Sequence, residues 1–399
     1  MTGSGPPFPH LTIALLGLVT VAAYGTWYYA FGVLLLPLLD DTGWSEGLVA
    51  GTYSAATALG ALLGVPAGRV IDRVGSRPAF LAAAGCSVVG LVGASMAGNP
   101  ALFALGAVPG AASLQALAFY HVTQTTAVRA APGQPARAIA WLTIYGAFSS
   151  FIYLPLASEL VVRWGWRQAL RLLVVSTAVV LVVAALAVRE QSQPVAPRRP
   201  GAAVRAALAP GAPRRYLIAS ALIGLAVGTV LLYQVPIMIG AGLPATTAAW
   251  VAGARGMAQV SGRVPLGWML QRMEARTAVR VAFIAITVGI TLLAFAGNIV
   301  VALGYVIAAG FGIGATSPLQ GIYADELFER SSLGESMGLL TMVFGLSTAV
   351  GPAVVGVLVE TTGSRWWGSV LAALAAAGAV VAMTLPVAPA AVPEGAGAD

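Results

Sequence analysis

The chain has 399 residues, of which 58% are hydrophobic and only 9% charged, with a mean hydropathy of +0.87. A soluble surface carries about a quarter charged residues, so this composition excludes an ordinary soluble enzyme or binding domain and describes a surface that faces lipid. The net charge of +7 comes from arginine alone, with no lysine, and the arginines sit in short segments between apolar blocks, which reads as membrane topology and not as nucleic-acid binding.

Twelve apolar blocks follow one another at 11–37, 47–67, 79–98, 101–127, 138–161, 168–187, 216–240, 247–270, 278–296, 299–322, 335–358 and 367–386. Each is long enough to cross about 30 Å of hydrocarbon as a helix. The predicted fold is an all-α polytopic membrane protein of twelve transmembrane helices. A tail (1–10), a six-helix bundle (11–187), a cytoplasmic linker (188–215), a second six-helix bundle (216–386) and a disordered tail (387–399) make up its parts. With both termini cytoplasmic, sixteen arginines fall inside and only Arg163, Arg167, Arg171 and Arg365 outside, as the positive-inside rule asks. Trp44, Trp164, Trp166, Trp366 and Trp367 mark the outer interface. The first apolar run is too long for a signal peptide, and the single Cys86 rules out an internal disulfide.

GRVIDRVGSR (68–77) after the second span and GWMLQRMEAR (267–276) after the eighth share a Gly-x4-Arg-x3-Arg pattern. Equivalent places in the same orientation indicate parallel repeats. On these features the chain resembles the major facilitator superfamily, whose signature loop between spans two and three matches Gly68, Asp72, Arg73, Gly75 and Arg77. The resemblance implies a gating role for that loop, with Asp72 and Arg73 locking facing spans in one state. The second copy has Gln271 where the first has Asp72, so such a latch belongs to the N-terminal half. YYAFGVLLLPLLDDTGWSE (28–46) and YGAFSSFIYLPLASELVVRWGWRQAL (145–170) resemble the branch of monocarboxylate-transporter-like and oxalate–formate-antiporter-like carriers. Carriers of that branch place a substrate-binding arginine in span eight, where this chain has Arg255.

An arginine at the bilayer centre costs at least about 2.5–3.5 kcal/mol, so Arg255 faces a cavity or a partner. Arg255, Gln259 and Gly262 share one helix face, and a guanidinium matches a carboxylate with two parallel hydrogen bonds. No Asp or Glu lies near the middle of any predicted span, so a substrate carboxylate is one candidate counter-ion and neutral polar partners are another; a structural arginine tied to backbone carbonyls, or snorkelling to the outer interface, is the alternative. Arg263, at the inner end of the same span, reads as a topology signal.

His121 is the intramembrane histidine. Its ordinary pKa of roughly 6.5 suits proton exchange, and a hydrogen-bonded packing role is the alternative. Tyr24 and Tyr28 stack at i, i+4 in span one, as Tyr145 does with Ser149 in span five, and Tyr120 with Gln124 in span four. These phenols are candidates to bind a carboxylate and enclose an apolar tail, with ordinary packing as the alternative. Tyr233 and Gln234 are further candidates, and Pro236 predicts a break in span seven.

The chain contains no phosphate-cradling lysine loop, metal-ligand cluster or catalytic triad, so neither an enzyme nor a cofactor or metal is expected. The reading is a secondary active transporter in the cytoplasmic membrane that moves a small organic anion, a monocarboxylate for preference, by alternating access. Proton coupling is left open, and lipid and substrate are the expected partners of a functional monomer. Proton-coupled efflux of amphiphilic compounds is the rival reading, and a non-transporting receptor on the same fold is the rival of another class.

Overall fold

The computed structural model describes residues 8–188, 208, 211–328 and 333–385. The tail 387–399, most of the tail 1–10 and most of the linker 188–215 lie outside them, as do Arg189, Arg198, Arg199, Arg205 and Arg330. The described residues are helical almost throughout. In chain order the helices are α1 (His10–Thr42), α2 (Glu46–Val74), α3 (Ser76–Ser95), α4 (Pro100–Ala130), α5 (Pro135–Ala187), α6 (Ala212–Gly240), α7 (Ala245–Arg263), α8 (Leu266–Arg272), α9 (Ala275–Leu293), α10 (Ile299–Leu327), α11 (Leu333–Thr362) and α12 (Trp366–Thr384). Among the described residues, ten helices are long and apolar enough to cross a membrane. One of them, α5, is two rods joined at Gly165, whose φ of 73° is left-handed backbone that glycine adopts without strain. The 19-residue α7 falls outside the ten. Its polar residues, Arg255 and Gln259 among them, dilute its hydropathy because they serve the interior.

The helix ends follow local chemistry. Ser45 caps α2 by accepting from Leu48 N–H at 3.3 Å, and Gly75, at φ 84°, turns the chain into α3. Asn99 and Asn298 cap α4 and α10 in the same way, and the offset between them equals that between Gly68 and Gly267. The repeat between the halves is thus written in the capping residues as well as in the loops.

Besides α5, three helices depart from regular geometry in the N-terminal half. α1 widens to a π-turn over Tyr24–Tyr29, α3 does so over Val88–Val92, and α4 breaks at Phe119, which is extended. Pro236 does not break α6, contrary to expectation: Ala212–Gly240 runs through it as one helix. Buried on nearly every face by its neighbours, α6 is held straight by packing where an isolated helix would kink.

The halves meet along three helix pairs, with α2 on α11, α1 on α6 and α5 on α7. Glycine permits the approach: a Cβ at Gly356 would lie 2.8 Å from the Gly47 Cα, and one at Gly256 would strike the Ser150 hydroxyl.

Candidate functional site

Arg255 is wholly buried, among the largest side chains with no exposed surface. α7 turns it into the C-terminal half, where its Nε–H donates to the Gln234 Oε1 of α6 at 3.0 Å. The Tyr305 hydroxyl of α10 donates to the same oxygen at 2.6 Å. Both Nη atoms of Arg255 and the Nε2 of Gln234 have no hydrogen-bond partner among the described residues. The guanidinium thus keeps its full charge and one open edge, in a site where desolvation makes both costly. Its charge acts on the phenols of Tyr28 and Tyr29, across the boundary with the N-terminal half, and on Tyr305.

Facing it is an aromatic wall. The π-turn of α1 crowds Tyr24, Tyr28 and Tyr29 together: Tyr24 stacks on Phe119 with centroids 3.7 Å apart, and Tyr28 meets Tyr24 edge-on at 5.6 Å. A cleft of about 390 Å³ opens between the halves, lined by Tyr24, Tyr28, Thr57, Gln115, His121 and Met342 among others. Arg255 is not part of its wall. Tyr28 is the residue shared by the cleft and the surroundings of Arg255.

The remaining candidates divide. Gln259 lies one turn from Arg255, on the side of the Tyr29 phenol, and Arg263 Nη2 approaches its Oε1 at 3.4 Å. Arg263 is more than a topology signal. Its Nη1 donates to the Thr143 carbonyl of α5 at 3.0 Å, so it ties the halves together, and its charge acts on the Tyr120 phenol. A long side chain at a helix end reaches a partner that hydropathy does not reveal. The Tyr145 ring covers Gly17 of α1, where a Cβ would lie 2.5 Å from its Cγ, and Ser149 donates to the Val21 carbonyl at 2.7 Å. The structure brings both to the packing of α5 on α1 and not to the cleft wall. His121 lies on that wall with its Nε2 2.9 Å from the Ala116 carbonyl, which the break at Phe119 leaves open.

The loop around Gly75 pairs differently from the expected latch. Asp72 accepts from Arg129 Nη2 at 2.7 Å, joining α2 to the end of α4 within the same half, and Arg73 and Arg77 are exposed. At Gly68 a Cβ would meet open space. A bridge between the halves stands instead at the opposite end, where sequence reasoning missed it. Arg365, before α12, donates from Nε to Glu46 Oε1 at 3.0 Å and from Nη2 to Oε2 at 2.5 Å. Beside it, Glu360 Oε1 accepts the Gly47 N–H at 2.9 Å. The available signal was a lone Glu46 opening an otherwise uncharged span.

A sequence profile of the Major Facilitator Superfamily matches residues 16–244 and 216–398. Among curated proteins, monocarboxylate transporter 13 of Rattus norvegicus is 28% identical over 245 residues, covering 60% of this chain and 56% of that protein. Its counterpart in Bos taurus is 29% identical over 245 residues, 60% of this chain and 57% of that protein. The match therefore spans a little over half the length of these relatives. Among solved structures, the nucleoside transporter NupG superposes with a TM-score of 0.74 at 13% identity, over 94% of this chain and 96% of that one. A bacterial homologue of the human lysosomal transporter Spinster gives 0.73 at 14% over 95% and 98%, and a D-xylose–proton symporter 0.70 at 12% over 92% and 96%. These structural likenesses carry the fold alone. With the profile covering nearly the whole of both repeats, the chain belongs to the Major Facilitator Superfamily.

Proposed function

We propose that this protein is a secondary active transporter of small organic anions, monocarboxylates in particular, and that Arg255 receives the carboxylate. One observation carries the reading: a fully buried guanidinium whose terminal nitrogens have no partner among the described residues. A cation left this way is expensive, and an incoming carboxylate supplies the charge and the two acceptors it lacks. The matched relatives, named monocarboxylate transporters, agree with that chemistry. Twelve spans is the count supported by taking the two rods of α5 separately and adding α7 to the apolar helices, and the arginine bias supports a cytoplasmic Gly75 end and cytoplasmic termini. The Glu46–Arg365 bridge then closes the outer face, and the cleft past Tyr28 leads inward. The protein works as a monomer in the cytoplasmic membrane, and His121, on the cleft wall, is the candidate to carry a coupled proton.

The test is uptake of radiolabelled acetate, pyruvate and benzoate by proteoliposomes holding the full chain. Arg255→Ala lowers uptake about a hundredfold or more, and Arg255→Lys recovers little because an ammonium lacks the planar fork. Alanine-variant uptake equal to wild type removes the assigned site. A second reading, proton-coupled efflux of amphiphiles, draws on the cleft lining, where Met337, Met342 and Phe344 line a wall without a fixed charge. It predicts export of lipophilic cations and no uptake of any of the three acids.

A further inference from the structure

The most informative contact of Arg255 is with a neutral group. Both lone pairs of the Gln234 amide oxygen are engaged, one by the Arg255 Nε–H and one by the Tyr305 hydroxyl. Two donors converging on one atom fix the amide's orientation, since the flipped amide would aim N–H groups at both. Gln234 and Tyr305 are themselves fully buried, so no solvent competes for these bonds. With Nε engaged, the edge of the guanidinium left open is the pair of Nη atoms, whose spacing suits the two oxygens of one carboxylate.

We infer that Gln234, held by Tyr305, is a positioning residue that aims Arg255 while leaving its charge uncancelled. The inference rests on the reading of Arg255 as an anion anchor. A carboxylate at position 234 would accept the same two hydrogen bonds in nearly the same volume. It would also neutralise the guanidinium and remove the attraction for an incoming anion. The amide provides geometry without charge, which a site that must hold and then release an anion requires. Tyr305 acts one step further out, by keeping the Gln234 oxygen turned toward α7.

The experiment compares Gln234→Glu, Gln234→Leu and Tyr305→Phe in the full-length protein, reading thermal unfolding and proteoliposome uptake of radiolabelled pyruvate, acetate and benzoate. Gln234→Glu is expected to unfold at a higher temperature than wild type and yet to raise the KM for the acids about ten- to a hundredfold. Gln234→Leu, which strands the Nε–H, unfolds at a lower temperature and also loses uptake. Tyr305→Phe raises KM about three- to tenfold with the maximal rate nearly kept. A purely structural role for Gln234 predicts that Glu serves as well as Gln, so a Gln234→Glu protein with wild-type KM overturns the inference. If Arg255→Ala transports like wild type, the anion reading itself has failed. An unfolding order of Glu above Gln above Leu at position 234 then still supports the aiming contact, and any other order refutes it.

Discussion

In the N-terminal half the buried guanidinium of Arg129 ends on a carboxylate, Asp72, at 2.7 Å; in the C-terminal half that of Arg255 ends on an amide oxygen, at 3.0 Å. The offset that relates Gly68 to Gly267 carries Asp72 onto Gln271 and Arg129 onto Phe328, so both members of the ion pair are missing from the second half. The same offset carries Gln234, Arg255 and Tyr305 back onto Leu35, Ala56 and Gly106. Each half thus owns a polar network that the other lacks: the second half keeps one neutral amide, Gln271, and no charge, and the first half has only Leu35, Ala56 and Gly106. The comparison teaches that a neutralised arginine is holding the fold together, whereas an arginine left charged at a structural cost is being held for something else.

This contrast can be broken by opposite signs of stability change. The largest effect is expected for Arg255→Met. Removing an uncompensated buried charge in favour of an apolar side chain raises stability by about 1–4 kcal/mol, read as a higher unfolding temperature in detergent, with anion uptake lost. A fall in that temperature would make Arg255 a structural residue and erase the distinction. Asp72→Asn goes the other way, costing about 2–3 kcal/mol. That is less than the roughly 3–5 for a fully buried pair, because the Asp72 side chain is 21% exposed against 8% for Arg129.

Glu46→Gln sharpens the comparison at the interface between the halves. It removes the charge from the Arg365 bridge, costs about 1–2 kcal/mol, and increases labelling, by a membrane-impermeant reagent, of a cysteine replacing the buried Ser54, which shares the α2 face of Gly47 and Ala50. Unchanged labelling would mean that the bridge does not hold the seam shut. The smallest effect is expected where the repeat was left blank. Gln271→Asp meets Phe328 in place of an arginine and shifts stability by no more than about 0.5 kcal/mol, so a large gain would reveal a latch in the second half after all.

Much of this architecture is readable from one-dimensional information. Hydropathy is a local transfer energy, so the ends of the spans follow from composition, and Asn99 and Asn298 cap where a short side chain meets free N–H groups. The depth of Arg255 in its span and the shared helix face of Arg255 and Gln259 also follow from helical periodicity alone. Periodicity does not say which neighbour a face meets. Tyr145 and Tyr24 look alike in sequence, yet one covers Gly17 and the other lines the cleft, because the rotation of each helix is set by everything packed around it. Arg263 reaches Thr143, and Glu46 reaches Arg365, only once two halves far apart in sequence are docked.

By itself the sequence determined a repeated, membrane-embedded helical protein with an arginine where arginines are costly. Only the tertiary structure decided that this arginine is aimed by Gln234 and Tyr305 and left charged, while Arg129 is neutralised by Asp72. The reason is physical. The cost of burying a charge can be read from one residue and its depth, but how that cost is met depends on atoms brought within 3 Å by helices that the chain keeps apart.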